Sequence, residues 1–293
     1  DKSKEFFPDL NLVLCETNHH IFYDHYNGPK IAYNVWESTL QPGGFFNKLK
    51  EFDELWVPSK WQKEVTIKQG YPSDKIKVVP EGVDVKTFFP ENVKHELTNT
   101  GRFTFFLAGR WDYRKSIKEV IETFLKTFDK SEPVDLIVSI DNPFSNDGLK
   151  STEERLEHFG FIDDRIKVLH FPPRKKYIEL LKSTNVFVSC ARSEGWNLPL
   201  IESMACGTVS IYSNCSGQLQ FAEGKGLAVN IIEERPVSES KGNHFNESVG
   251  NYYEPDFNHL SYQMRNSYEN YHEHKEKALK DSEIIRRDFS WEN

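Results

Sequence analysis

The sequence predicts an α/β protein with two parallel-sheet domains, and three observations lead to this prediction. Short apolar runs alternate with amphipathic segments along the chain, which is the pattern of strands and helices in parallel sheets. The chain has 293 residues, enough for two domains of ordinary size. A polar stretch without periodicity, residues 90–99, separates two such series. We therefore expect a first domain over residues 1–98 and a second over residues 99–293.

The first domain is predicted to contain four strands in a βαβα order. The strands are apolar runs that end at turn-forming residues, over residues 10–15, 29–36, 52–58 and 75–80. Residues 41–44, Gln-Pro-Gly-Gly, indicate a loop, and Ser59 is the expected N-cap of a helix that continues to about Lys68. This order favours a Rossmann-like layout, although no glycine-rich phosphate loop occurs in this half.

The second domain is predicted to be doubly wound, with helices on both faces of a parallel sheet. Its expected strands are six apolar runs, over residues 103–109, 134–140, 166–171, 185–189, 208–212 and 226–229. Ser116 and Glu119 have the spacing of a capping box, and apolar residues at helical spacing follow them as far as residue 128. Further helices are expected to begin at Ser151 and Pro173.

The stretch over residues 189–207 has the pattern that says most about function. It predicts a strand, a loop and a short helix, with Asn197 as the N-cap, Pro199 in the first turn and a glycine at the end. Glu194 then lies on the loop, and Glu202 lies one turn inside the helix. Two carboxylates would stand near a helix N-terminus, whose partial positive charge favours phosphate. The same spacing of glutamates also occurs on ordinary surface helices, so the motif alone leaves both interpretations open.

Two basic residues, Arg110 and Lys115, lie in the loop that follows the first strand of the second domain. Ligands bind at this carboxyl edge of open parallel sheets. A guanidinium fork and an ammonium group together suit a diphosphate that becomes a leaving group. A solvated basic loop is the alternative interpretation.

Three side chains at strand ends of the first domain are further candidates. His19 and His20 follow the first predicted strand, and Glu37 follows the second. Adjacent residues at a strand end face opposite ways, so at most one histidine could line a cleft. Structural or solvated roles remain the alternatives for all three residues.

The composition excludes several classes of protein. A net charge of −8 argues against a general nucleic-acid binder, which needs a basic face. No apolar run approaches the roughly 20 residues that span a bilayer, and no signal-peptide pattern opens the chain, so we expect a cytoplasmic protein. The cysteines have no metal-binding spacing, and we expect free thiols at Cys15, Cys190, Cys206 and Cys215.

Several motifs, taken in their order, give the sequence a family resemblance. They are Val79-Pro-Glu-Gly-Val-Asp84, Gly109-Arg110 with Lys115, and the run from Ser193 to Gly207, with Trp56-Val-Pro-Ser59, Tyr253-Glu-Pro-Asp256 and Phe289-Ser-Trp291 in agreement. The sequence resembles the family-4 retaining glycosyltransferases of the GT-B fold, over nearly its whole length. The resemblance implies two Rossmann-like domains that face each other across a cleft.

The resemblance also implies a function and a role for each matching residue. The protein would transfer a sugar from a nucleotide-diphosphate sugar, with retention of anomeric configuration and without a metal or other cofactor. Glu194 would bind hydroxyls of the donor sugar, and Glu202 would bind the ribose. The expected catalytic residues are Arg110, Lys115, Glu194 and Glu37. The expected donor-binding residues are Gly109, Arg110, Lys115, Arg174, Glu194, Gly195, Trp196, Asn197, Leu198 and Glu202.

The sequence also departs from the family pattern. A glycine-rich turn and about three β-α units are expected before Leu10, and the last helix is expected to continue beyond Trp291, so we expect a chain truncated at both ends. Glu37 stands in the region where the family commonly has a histidine. The acceptor is open among a glycan, a lipid-linked sugar and a protein, and peripheral membrane association remains possible. The alternatives to a transferase are a non-catalytic GT-B module or partner subunit and another GT-B enzyme, such as a phosphorylase or an epimerase.

Overall fold

The computed structural model describes residues 10–14, 28–144, 148–237 and 247–293. His19, His20 and Cys15 lie outside these described residues. Two parallel sheets carry the fold, and each has helices packed against it. The predicted fold class is therefore confirmed.

The first sheet is built from four short parallel strands. They are β1 (Asn11–Leu14), β2 (Lys30–Tyr33), β3 (Glu54–Val57) and β4 (Ile76–Val78), and they lie in that order across the sheet. Two helices follow β2 and β3, namely α1 (Gly43–Leu49) and α2 (Lys60–Lys68). Ser59 caps α2 as predicted, because its side chain accepts a hydrogen bond from the backbone N–H of Gln62.

Helix α1 was not predicted from the sequence, and it begins inside the predicted loop over residues 41–44. Pro42 precedes the helix with an extended backbone, and Phe46 and Leu49 are buried on the face that meets the sheet. Burial of this face outweighs the low helix propensity of the two glycines at its start.

The second sheet has six parallel strands. They are β5 (Phe103–Ala108), β6 (Val134–Ser139), β7 (Ile166–Val168), β8 (Val186–Ser189), β9 (Val209–Ser213) and β10 (Leu227–Val229). Across the sheet their order is β10-β9-β8-β5-β6-β7, and each strand predicted from the sequence overlaps one of them. The chain builds outward from β5 in one direction and then outward from β8 in the other. The loops after β5 and β8 therefore meet at the switch point, where such sheets bind their ligands.

Helices cover both faces of this sheet. They are α3 (Ile117–Thr127), α4 (Thr152–His158), α5 (Arg174–Ser183), α6 (Leu198–Ala205), α7 (Leu219–Ala222), α8 (Phe257–Glu269) and α9 (Tyr271–Asp288). One core lies between the sheet and α3 and α8, and a second lies on the opposite face under α5, α6 and α9. No helix in the described ranges has both the length and the apolar character needed to cross a bilayer. Cys190, Cys206 and Cys215 are buried free thiols, as expected.

The predicted capping box at the start of α3 is wrong. Ser116 has a left-handed backbone (φ 54°), and its side chain does not cap the helix. Its hydroxyl instead accepts a hydrogen bond from Arg192 Nη1 at 3.2 Å, and the Glu119 carboxylate accepts one from Arg192 Nη2 at 2.8 Å. A buried guanidinium must satisfy its donors, and this need takes both side chains away from the helix end.

A two-stranded antiparallel hairpin was also missed, and it connects the two domains. Its strands are β11 (Ile231–Pro236) and β12 (Asn251–Pro255). The backbone N–H of Asn251 donates to Thr39 Oγ1 at 2.8 Å, and Ser38 Oγ donates to the carbonyl oxygen of Val249 at 2.7 Å. The loop between β2 and α1 is thus bound to the second domain. The predicted boundary at residues 98 and 99 lies between the two sheets and stays a prediction.

Candidate active site

The turn between β8 and α6 has the geometry predicted from the sequence. Asn197 has a left-handed backbone (φ 85°), and its side-chain oxygen accepts a hydrogen bond from the N–H of Leu200 at 3.4 Å. Its side-chain nitrogen donates to Ser189 Oγ and to Gln218 Oε1, at 2.9 and 2.7 Å. These three bonds fix a backbone conformation that Asn tolerates better than most residues. The predicted N-cap is confirmed.

Glu194 lies in this turn, and its carboxylate is buried between two cations. Lys115 Nζ is 2.5 Å from Oε1, and Arg114 Nη1 is 3.0 Å from Oε2. Only 3% of the Glu194 side chain is exposed. Burial alone would raise the pKa of this carboxyl, but Lys115 and Arg114 lower it below its ordinary value. Glu194 is therefore an ionised acceptor at the switch point of the sheet.

Arg114 also reaches the first domain. Its Nε lies 3.0 Å from Glu37 Oε2, and its Nη1 donates to the carbonyl oxygen of Ser193 at 2.9 Å. Burial raises the pKa of Glu37, and the charge of Arg114 offsets only part of that rise. The sequence analysis named Glu37, Lys115 and Glu194 as candidates, and the structure brings them together. It missed Arg114, although this residue stands beside Lys115 in the same loop.

The loop around Gly195 is packed from both sides. A Cβ atom at Gly195 would overlap the side chain of Val35 and would lie 3.1 Å from the carbonyl oxygen of Trp36. A Cβ atom at Gly217 would overlap the carbonyl oxygen of Gly195, and the Gly217 N–H donates to the carbonyl oxygen of Glu194 at 2.9 Å. Only glycine allows these close approaches. The turn that holds Glu194 is thus rigidly placed between the domains.

The first backbone amides of this turn lack hydrogen-bond partners among the described residues. Within the described part of the chain, the N–H groups of residues 195–198 form no hydrogen bond, whereas those of Leu200 and Ile201 bond to the carbonyl oxygen of Asn197. Unpaired N–H groups at a helix N-terminus carry a partial positive charge and bind anions. Amide donors and an ionised carboxylate are therefore available in one turn.

Glu202 lies one turn inside α6 and faces α5. Tyr177 OH donates to its Oε2 at 2.9 Å, and Arg174 Nη2 is 3.8 Å from its Oε1. Burial raises the pKa of Glu202, although the Tyr177 hydrogen bond opposes this rise. Arg174 is mostly exposed and also lies over the ring of Phe88. Tyr177 was not predicted as a partner, because the helix expected from Pro173 onward does not show which of its side chains meets Glu202.

Other predicted residues lie farther from Glu194. The side chain of Arg110 is 53% exposed, and its Nε is 3.9 Å from Asp112 Oδ2. Gly109 has a positive φ of 147°, and the methylene groups of Lys115 pass over it. The predicted contact of Arg110 with a diphosphate stays a prediction.

Trp196 and Leu198 differ in what their side chains can do. The Trp196 ring is buried against Phe221 and Phe289, with ring centroids 5.0 and 5.9 Å apart. The side chain of Trp196 is therefore withdrawn from any ligand, while the Leu198 side chain is half exposed. Among the residues that the structure covers, no three His, Cys, Asp or Glu side chains are grouped as metal ligands. Metal independence stays a prediction.

Part of the chain matches a known family profile. Residues 88–230 match the family described as Glycosyl transferases group 1. The chain is 25% identical over 169 residues to the alpha-monoglucosyldiacylglycerol synthase of Streptococcus pneumoniae, a match that covers 55% of this chain and 37% of that protein. It is 24% identical over 163 residues to the GDP-mannose:cellobiosyl-diphosphopolyprenol alpha-mannosyltransferase of Xanthomonas campestris, which covers 55% and 40% of the two chains. The match thus spans well under half the length of these curated relatives.

The fold is similar to that of a solved structure over almost the whole chain. Anabaena HepE, crystallised in complex with UDP and glucose, superimposes with a TM-score of 0.75 at 13% sequence identity. The superposition covers 99% of this chain and 76% of HepE. At this level of identity the likeness supports the two-domain GT-B arrangement and leaves the substrate open.

Proposed function

We propose that this protein transfers a sugar from a nucleotide-diphosphate sugar to an acceptor, because residues 88–230 match the group 1 glycosyl transferase family and the chain has the GT-B fold. Retention of configuration, independence from metal ions and the identity of both substrates are parts of this proposal. The role of each residue follows from the contacts around Glu194 and Glu202.

One observation carries the proposal. Glu194, which pairs with Lys115, lies in the same turn as the unpaired amides of residues 195–198. A diphosphate bound at these amides would draw the ammonium group of Lys115, because an anion there gains both the amide dipoles and a full positive charge. Glu194 Oε1 would then be free to accept hydrogen bonds from hydroxyl groups of the donor sugar.

The chemical step would place negative charge on the diphosphate. The bond between the anomeric carbon and the diphosphate oxygen breaks, and the hydroxyl oxygen of the acceptor bonds to the same carbon from the same face. The hydroxyl proton passes to the departing diphosphate. Contacts from Lys115 and the amides speed this step insofar as they strengthen while charge develops on the leaving group. In this step Glu194 and Glu202 bind the donor. They do not act as the acid and base that a pair of carboxylates provides in a glycosidase.

The nucleoside would lie on the side of Glu202. This carboxylate has one oxygen bonded to Tyr177 and a second that lies 3.8 Å from the exposed guanidinium of Arg174. Its second oxygen can accept from ribose hydroxyls. The relatives are named for GDP-mannose and for a glucosyl lipid, and HepE was crystallised with UDP and glucose, so GDP-mannose and UDP-glucose are the first donors to test. The lipid acceptors in the relatives' names make a lipid-linked sugar the first acceptor class to test.

The test is a transfer assay with these two donors and a set of lipid-linked and soluble glycan acceptors. Products are identified by mass spectrometry, and their anomeric configuration by proton NMR. Transfer should be abolished in Glu202→Ala and in Arg110→Ala, and unchanged in the exposed control Lys118→Met. Full activity in both site variants would refute the proposal. Donor binding without turnover by this chain and by any longer parent chain would favour a non-catalytic GT-B module.

A further inference from the structure

Four charged side chains form a continuous row across the two domains. Glu37 contacts Arg114, Arg114 contacts Glu194, and Glu194 contacts Lys115, with N–O distances of 3.0, 3.0 and 2.5 Å. The row contains two carboxylates and two cations, so its net charge is zero when all four groups are ionised. If a diphosphate draws Lys115 away from Glu194, the buried Glu194 carboxylate is left with Arg114 as its partner cation.

Arg114 is held more firmly than Lys115. Its Nη1 donates to the carbonyl oxygen of Ser193, its Nε pairs with Glu37, and its own carbonyl oxygen accepts from the backbone N–H of Arg192 at 2.7 Å. Its side chain is 9% exposed, compared with 17% for Lys115. A guanidinium with several partners in one plane keeps its place, whereas an ammonium group on a flexible stem moves readily.

We propose that Arg114 is a positioning residue, which holds the Glu194 carboxylate in one orientation while Lys115 turns to the diphosphate of the donor. The inference rests on the proposed transferase function. Arg114 does not touch the donor; it acts through Glu194. Glu37, in the first domain, pairs with Nε of Arg114 and so helps to keep Arg114 in contact with Glu194. This arrangement therefore requires the first domain to be packed against the second.

The charges around Glu194 favour this division of roles. Lys115 and Arg114 face it from the loop after β5, and Asp112 of the same loop acts on Arg114 and Glu37. Glu37 faces it from the loop after β2, Tyr252 from β12 and Cys215 from the loop after β9. The only cations among them are Lys115 and Arg114. Once Lys115 turns away, Arg114 alone opposes the burial that would raise the pKa of Glu194.

Arg114→Met and Arg114→Lys test the proposal, with Lys118→Met as the control that removes an exposed cation four residues along the chain. The first readout is the titration of Glu194, followed by carbon-13 NMR of chains labelled at the glutamate carboxyl and assigned with Glu194→Gln. The second is the pH dependence of kcat and KM with a donor that the wild type uses. The titration needs no substrate, so it remains informative whether or not transfer is found.

Arg114→Met should lower kcat about 10- to 100-fold, which corresponds to the loss of one charge-assisted hydrogen bond. The acid limb of its rate profile and the titration of Glu194 should both move up by about one pH unit or more, which a merely structural role would not cause. Arg114→Lys should restore the titration and recover part of kcat, because it keeps the charge and loses the fork. Lys118→Met should match the wild type.

A wild-type titration and rate profile in Arg114→Met would overturn the proposal. If Arg114→Met fails to fold, Arg114→Lys becomes the deciding variant. A kcat of Arg114→Lys equal to that of the wild type would overturn the positioning role, because a single ammonium cannot reproduce three directed contacts. A wild-type chain that binds and converts no donor would refute the proposed function instead. In that case, an identical Glu194 titration in the wild type and in Arg114→Met would also refute the proposed effect of Arg114 on Glu194.

Discussion

Replacing Lys115 with methionine tests whether its ammonium group stabilises the fold by pairing with Glu194. The change keeps most of the apolar stem over Gly109 and removes the charge that lies 2.5 Å from Glu194. Breaking an isolated buried ion pair costs about 3–5 kcal/mol. Arg114 still pairs with Glu194 in the variant, so the loss is that of one charged hydrogen bond, about 2 kcal/mol in the free energy of unfolding at neutral pH.

The pH dependence of this loss has a definite sign. The pKa of Glu194 is lower in the folded chain than in the unfolded one, so its ionised form stabilises the fold above the unfolded value of about 4.3. This contribution disappears as the pH falls through the lower, folded pKa. The difference between wild type and Lys115→Met should therefore be largest near pH 7 and begin to shrink near pH 4.

Urea unfolding followed by tryptophan fluorescence at pH 7 and at a series of pH values below 4 measures this difference, with Lys118→Met as the matched control. Lys118 is an exposed lysine of α3 whose ammonium lies over the Phe159 ring, and it forms no ion pair with the residues that the structure describes. Its replacement should change the free energy of unfolding by about 0.5 kcal/mol or less. Equal losses in the two variants at pH 7, or a Lys115→Met loss that does not shrink in acid, would refute the assignment of Lys115 and Glu194 as a stabilising pair.

Two further predictions concern the hairpin and the nucleoside side of the site. Gly250→Ala should destabilise the chain by about 1–3 kcal/mol more than Gly224→Ala, because both glycines have a positive φ but only a Cβ at Gly250 would overlap Thr39. Equal unfolding free energies in the two alanine variants would contradict the close contact between β12 and the first domain. Tyr177→Phe should weaken nucleotide binding about 3- to 10-fold, since the lost hydrogen bond orients Glu202. Isothermal titration calorimetry measures this change, and unaltered affinity would argue against a role for Glu202 in the nucleoside site.

Local sequence signals predicted the central turn well. Asn, Pro and Gly at fixed positions specify where α6 begins and ends, because their backbone and capping preferences act within a few residues. Glu194 was recognised through the same pattern. The resemblance to GT-B glycosyltransferases is confirmed by the family profile and by the fold. Retention, metal independence and truncation of the chain stay predictions.

Features that depend on distant partners could not be predicted from the sequence. Ser116 and Glu119 have a capping pattern, but Arg192, more than 70 residues along the chain, takes both side chains. Arg110 and Arg114 lie in one loop, and only the packing of that loop against the segment after β8 decides which guanidinium meets Glu194. The strand β11 is mostly exposed, so it lacks the buried apolar pattern by which a strand is recognised.

The central claim is that a nucleotide-sugar donor binds between Lys115, Glu194 and Glu202, and ligand-induced stabilisation tests it most directly. Thermal unfolding would be recorded with UDP, GDP, ADP and their common sugar conjugates, for the wild type, Glu202→Ala and Lys115→Met. A ligand at about 100 times its dissociation constant should stabilise the folded chain by roughly 2.7 kcal/mol. We expect one nucleotide to raise the unfolding temperature of the wild type and to have much less effect on both variants. An equal rise in all three chains, or no rise with any nucleotide, would contradict the donor site described above.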